Sequence, residues 1–191
     1  KNIPSALRLA AWYGEKTSPV YDRAEAFRWL EVAGDAGSKD AQLRLGLMLS
    51  VGVFVPQDLV AAQRWLEKAA KSGVAESWWL LGEFDWQGVA GPKNPARAVV
   101  RWEEAAKRGF VAASERVVIC RMFGLGVAAD RAAVENDLGQ FAEKDPARAK
   151  ELRDWVAVLR QAGAEEVNGG GDRAAEVIVQ PRPFYPVLHR L

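Results

Sequence analysis

The chain has 191 residues, 49% of them hydrophobic, with 26 lysines and arginines against 25 aspartates and glutamates. A net charge of +1 lacks the basic excess of a nucleic-acid binder, and no apolar run reaches the roughly 18 residues of a membrane span. One cysteine and one histidine leave no internal disulfide and no soft-ligand metal site, so no cofactor is expected.

The chain opens at Lys1, without Met or a signal peptide, so a processed or trimmed form is expected. Ser5 to Tyr13 carries apolar residues at helical spacing, and Pro19 marks the loop that follows. Asp22 with Glu25 three places on reads as a capping box, each side chain accepting from a free backbone N–H. Ala26, Trp29, Leu30 and Ala33 are the expected buried stripe of that helix, and Gly37 its end. Lys39 to Val51 is the next helix, packing through Ala41, Leu45, Gly46 and Leu49.

Asp58 starts a helix ending before Gly73, and Ala75 to Gln87 follows with Trp78 and Leu81 on its packing face. Asn94-Pro95, an N-cap followed by proline at the first helical position, opens a helix that ends at Gly109. Val111 to Phe123 is helical by register, although VVIC alone would pass for a strand. Asp130 caps a helix through about Glu143, and Asp145-Pro146 starts a final amphipathic helix to Ala162.

A fixed offset of 36 residues organises all of this. Asp22, Ala26, Trp29, Gly37 and Gly52 return as Asp58, Ala62, Trp65, Gly73 and Gly88, then as Asn94, Ala98, Arg101, Gly109 and Gly124. Trp102 is displaced by one place. Ser5 to Tyr13 aligns with Ala41 to Leu49, so the chain is expected to begin inside a repeat. Such a period signals a stacked repeat architecture, and the charged last helix reads as its cap. Residues 1–162 are one repeat domain; 163–191 are a glycine-rich linker and an extended tail with Pro181, Pro183 and Pro186. We expect that tail to be ordered against the stack or a neighbouring molecule.

The pattern A-x-x-x-L-G-x-x-L-x-x-G followed by D-x-x-x-A-x-x-W-x-x-x-A, in Ala41 to Gly52 and Asp58 to Ala69, resembles the Sel-one-like repeat, a relative of the tetratricopeptide repeat. It covers roughly Ser5 to Ala142. The departures are Val118 at a glycine position, Asp85 and Arg121 at a usually aromatic one, and Arg101 with its late tryptophan. The resemblance implies an all-α fold, a right-handed α-solenoid of antiparallel helix pairs that binds a protein partner and performs no reaction. Bacterial members include envelope and secreted proteins, which implies a periplasmic or envelope location, a cytoplasmic one staying open. An immunity protein neutralising a secreted phospholipase-type effector is the first reading, and an envelope scaffold for exopolysaccharide export or assembly the second. Self-association is also open.

By analogy with tetratricopeptide proteins, the first helix of each pair lines a concave groove. Register places Leu43, Leu47, Ser50 and Val51 there, with Trp79, Glu83, Trp86 and Gln87, and Glu115, Ile119, Met122 and Phe123. A helix as apolar all round as Ala75 to Gln87 is either sandwiched or presents a binding face, and both readings stay open for Trp79 and Trp86. Phe184, Tyr185 and Leu188 of the tail are candidates to occupy the groove.

The contrasting class is a hydrolase using Glu83 and Glu115 across the groove. Glu83 and Asp85 point to different faces and do not make an acid and base pair. Gly124 to Ala129 imitates a dinucleotide fingerprint but stands where Gly52 and Gly88 end their helices. Gly169 to Gly171 lacks the Lys-Ser/Thr of a phosphate loop, His189 lies in the tail, and Cys120 reads as a small core residue.

Overall fold

The structure, a computed structural model, describes residues 2–162. The expectations for the 163–191 tail, with Phe184, Tyr185, Leu188 and His189, lie outside the described residues. Within them the chain forms nine helices and no strand. These are α1 (Ile3–Gly14), α2 (Arg23–Asp35), α3 (Lys39–Val51), α4 (Leu59–Lys71), α5 (Ala75–Gln87), α6 (Pro95–Lys107), α7 (Val111–Phe123), α8 (Arg131–Lys144) and α9 (Pro146–Ala162). Each packs on the next in the chain, giving pairs α1/α2, α3/α4, α5/α6 and α7/α8 with α9 against α8. The fold is an all-α solenoid.

The punctuation residues explain why the helices start and stop where they do. Asp22, Ser38, Asp58, Asn94 and Asp130 each cap a helix by accepting a backbone N–H of the first turn. Gly52, Gly88 and Gly124 end α3, α5 and α7 in the left-handed conformation, at φ 81°, 72° and 69°, which a side chain would strain. One loop hydrogen bond recurs at the same 36-residue offset. The amides of Asp22, Asp58, Asn94 and Asp130 donate to the carbonyls of Tyr13, Leu49, Asp85 and Arg121 at 2.9, 3.0, 2.8 and 3.0 Å. The repeat is therefore written in the backbone as well as in the side chains.

The expected capping box at Asp22 forms only in half. Asp22 accepts from the amides of Ala24 and Glu25, but its own amide goes to Tyr13 and the Glu25 carboxylate to Arg28 at 2.6 Å. The interhelix loop bond has taken the donor that Glu25 would have satisfied.

The core is a ladder of equivalent positions. Ala26, Ala62, Ala98 and Val134 are buried in successive pairs, as are Leu45, Leu81 and Val117. In the predicted stripe of α2, Ala26, Leu30 and Ala33 are buried, whereas Trp29 is only half-buried and Phe27 takes its place. Trp78 is likewise half-buried beside the buried Leu81. Position 29 belongs to a row running 29, 65, 101, 137 along the second helices, from which Trp65 meets Gly34 and Arg101 meets Glu67 of the preceding pair.

That row corrects the reading of Trp102 as a displaced tryptophan. Trp102 occupies the core position of Leu30, Leu66 and Leu138, fully buried, while Arg101 stands in the edge row. A one-residue step on a helix turns a side chain by about 100°. Room for the indole comes from Gly82, where an added Cβ would stand 2.5 Å from Trp102 Cδ1. Gly46 does the same for Leu66, at 2.6 Å from Cγ.

Candidate protein-binding surface

The predicted groove residues lie on α3, α5 and α7, but packing divides them among three apolar clusters. Leu43, Leu47 and Trp79 pack against a core shared by the first two pairs and α5. Trp79 and Trp86 also border the Trp102 cluster, and Met122 borders the one built on Val118, Val134 and Leu138. Ser50 and Ile119 are buried, with the Ser50 hydroxyl donating to the Leu47 carbonyl at 2.8 Å. Val51, Gln87 and Phe123 are half-buried.

The centre of the surface is aromatic. The Trp102 ring lies 5.9 Å from that of Trp79 and 5.3 Å from that of Trp86, and Phe110 lies 5.5 Å from Trp79. Trp79 and Trp86 are thus supported from beneath by a buried indole while each keeps part of its surface open. Arg116, from α7, spans the Trp79 and Trp102 rings at 5.8 and 5.6 Å from their centroids. A guanidinium over an indole face is an attractive cation–π contact. Phe110, Trp102 and Arg116 were not legible as site residues, because their roles depend on which face of the neighbouring helix they meet.

Glu83 and Glu115 are not brought together as a pair. Glu83 is buried, its Oε2 accepting from Gln87 at 3.3 Å; its Oε1 has no hydrogen-bond donor and faces Arg116 Nη2 at 3.8 Å. Glu115 is held by Arg148 of α9 at 2.7 Å. Burial raises the Glu83 carboxyl above its ordinary range, the Arg116 charge and the Gln87 hydrogen bond offsetting part of the rise.

A carboxyl raised in the folded state binds more protons there than in the unfolded chain. Its stabilising contribution is complete below the unfolded carboxylate range and lost as pH climbs through the raised value. Glu83→Gln is therefore expected to leave the melting temperature unchanged near pH 4 and to raise it at pH 7. Thermal melts across that interval check the crossover; a variant less stable at pH 7 would show that the ion contact with Arg116 outweighs burial.

The family's departures form a second buried feature. Asp85, 3% exposed, accepts from Arg97 at 2.6 Å and lies 2.9 Å from Arg101. Arg101 also donates to the Leu81 carbonyl at 3.0 Å and approaches Glu67 at 3.5 Å. Thirty-six residues on, the polarity is reversed: Arg121 stands at the Asp85 position and pairs with Asp137 at the Arg101 position, and with Glu103 at 2.7 Å. The same two positions hold Tyr13 with Trp29 and Leu49 with Trp65 in the first two pairs.

Cys120 is fully buried and its thiol is pushed up to about 12 by burial, which keeps it protonated and unreactive. Among the described residues no group of three or more His, Cys, Asp or Glu side chains could hold a metal ion. No helix among them is long and apolar enough to cross a membrane. The helix α7 under VVIC, with Gly124 as its cap, removes the strand that a dinucleotide fingerprint needs.

Three consecutive Sel1 repeat units match residues 3–38, 39–74 and 77–110, each a first and a second helix of the stack. The chain belongs to the Sel1 repeat family. Its α7/α8 pair continues the Sel1 architecture beyond the matched residues, carrying the same loop bond. A Sel1 repeat protein from Oxalobacter formigenes is 29% identical, covers 78% of this chain and 60% of its own, and superimposes with a TM-score of 0.64. A protective antigen of uropathogenic Escherichia coli with an SLR fold is 24% identical over 93% of this chain and 38% of its own, with a TM-score of 0.67. Helicobacter pylori cysteine-rich protein B shares the fold at 14% identity, a TM-score of 0.53, and 72% and 99% coverage. The chain thus spans less than two thirds of the length of the first two. Among curated proteins none matches. Sel1 repeats are generally protein-interaction modules without catalytic activity, and a protein partner is the binding class this family supports.

Proposed function

We propose that the chain binds its protein partner on the aromatic surface of α5, flanked by α3 and α7, and turns over no substrate. The observation that supports this is the pair Trp79 and Trp86, each part-exposed and each in tilted ring contact with the buried Trp102. An anchor already held in place loses little freedom on binding, and aromatic anchors dominate interface energetics. Leu43, Leu47, Glu115 and Met122 would frame it, while the predicted Ile119 is buried and stays out of reach of a partner. The specific role we propose is that of an immunity protein neutralising a secreted phospholipase-type effector in the periplasm or envelope.

Trp79→Leu, which keeps an apolar contact on Trp102, is expected to weaken the partner at least tenfold with an unchanged helical spectrum. The partner is to be isolated by affinity capture from envelope extract and its dissociation constant measured by titration. Unchanged affinity in both Trp79→Leu and Trp86→Leu would remove the surface assignment. The immunity role predicts that cells lacking the protein are killed by sibling cells that secrete the effector; survival would refute that role, and turnover of lipid or glycan by the pure chain would refute the binding class.

A further inference from the structure

The edge row of the second helices offers a second site, to which α5 contributes no lining residue. In the second pair its occupant is Trp65, whose indole lies over Gly34 so closely that a Cβ there would stand 2.9 Å from the ring and 3.0 Å from Leu45 Cδ1. Lys68 caps the ring with its Nζ 3.8 Å from the centroid. In the third pair the occupant is Arg101, held between the Leu81 carbonyl, Asp85 and Glu67. In both, a long side chain fills the slot between one second helix and the next.

In the fourth pair the row holds Asp137, too short to fill it. A cavity of about 260 Å³ opens between α6, α7 and α8 at that place. It is lined by Ala106, Val117 and Asp137, which are the equivalents of Gly34, Leu45 and Trp65 at whole multiples of the 36-residue offset, and by Glu103, Arg121 and Gln140. The cavity is the counterpart of the tryptophan slot of the second pair, with Asp137 in place of the tryptophan and the Ala106 methyl standing where Gly34 leaves room.

We propose that this slot receives an aromatic side chain with a hydrogen-bond donor, a tryptophan or tyrosine, carried by a protein partner. This rests on the protein-binding reading and adds a second point of contact to it. Three observations select the occupant. The walls are the counterparts of those that hold an indole two repeats earlier, with Ala106 in place of Gly34 and Val117 in place of Leu45. The volume lies just below the roughly 300–1,000 Å³ of sites for drug-sized ligands, which suits one side chain. The lining carries no net charge, with Arg121 and Lys107 against Glu103 and Asp137 and Arg121 bridging the two acids, so a neutral ring is preferred to an ion, while the two carboxylates can still accept from an indole N–H or a phenol.

The test is titration of the full chain with N-acetyl-tryptophanamide and N-acetyl-leucinamide, read by amide shifts. Tryptophanamide is expected to bind at millimolar concentration with shifts confined to α6, α7 and α8, and leucinamide at least tenfold more weakly. Arg121→Leu and Asp137→Trp together with Ala106→Gly install the Leu49, Trp65 and Gly34 chemistry and are expected to abolish that binding and raise the melting temperature. Ala106→Leu alone, filling the slot from α6, is the second variant should the triple one not fold. Equal binding of the two amides, shifts elsewhere, or undiminished binding by the filled variants would overturn the proposal. Binding that emerges only in Phe184→Ala/Tyr185→Ala would overturn the partner in favour of the chain's own tail. The titration needs no partner, so its failure and a failure of the Trp79 surface are read separately.

Discussion

Replacing Asp85 with alanine is expected to cost about 3 kcal/mol of stability, visible as a lowered urea midpoint with an unchanged slope. Removing one member of a buried ion pair typically costs about 3–5 kcal/mol, because the remaining charge stays buried without compensation. Here the stranded group is Arg101, whose side chain is 12% exposed and whose guanidinium loses its nearest carboxylate. Burial already disfavours its charged form, with Asp85 the principal offsetting charge. The lower end of the range applies because the Leu81 carbonyl and Glu67 remain as partners. Arg97, nearly half exposed, can turn to water and adds little.

The charge-swapped variant Asp85→Arg/Arg101→Asp separates ion pairing from generic packing. It copies the polarity of Arg121 and Asp137 and should recover part of the loss, though Arg97 and Glu67 then face the wrong sign. A single variant costing under about 1 kcal/mol, or a swap no better than the single, would show that the pair does not hold α5 to α6. Replacing the pair with Leu and Trp, as in the second repeat, is expected to be neutral or stabilising, as buried pairs exchanged for apolar residues often are.

Trp102→Ala is expected to cost about 3–5 kcal/mol, near the upper end of that range for an aromatic deleted from a core. The indole is fully buried and its neighbours Trp79, Trp86 and Phe110 are rigid rings that cannot collapse into the space. For a chain of this size the shift in Tm is about 10 °C. Trp102→Leu, the residue of the other three pairs, should cost less than half as much. A loss under about 2 kcal/mol for alanine would mean that the aromatic surface does not depend on this buried support.

Most of the fold was legible because its punctuation is chemical. Asp58, Asn94 and Asp130 can cap, Gly52 and Gly88 can turn left-handed, and both recur at one offset, so even VVIC, which is β-like by propensity, was placed in α7 by register. What was not legible turns on single steps around a helix. Trp102 looked like an edge tryptophan one place late, and only packing against Gly82 shows it taking a leucine's place. Glu25 had the right spacing for a reciprocal cap, but the Asp22 amide was already committed to Tyr13.

The candidate surface was legible in part for the same reason. Counting from Leu45-Gly46 selected α5 as the apolar helix and found Trp79 and Trp86, yet it could not show that Glu83 turns inward beneath Arg116 or that Glu115 is taken by Arg148. Arg116 and Phe110 carried no motif, and their contacts cross from one pair to the next. The reversed charges at 85 and 121, and at 101 and 137, were the available signal, since ionic residues at two aligned core-edge positions must find each other.

Hydrogen exchange on the complex with the captured partner tests the account most directly. New protection is expected in α5 around Trp79 to Trp86, with flanking protection in α3 and α7, and a second, smaller footprint at the cavity between α6, α7 and α8. A partner that protects only α1 or α2 and leaves α5 exchanging as in the free chain would contradict it.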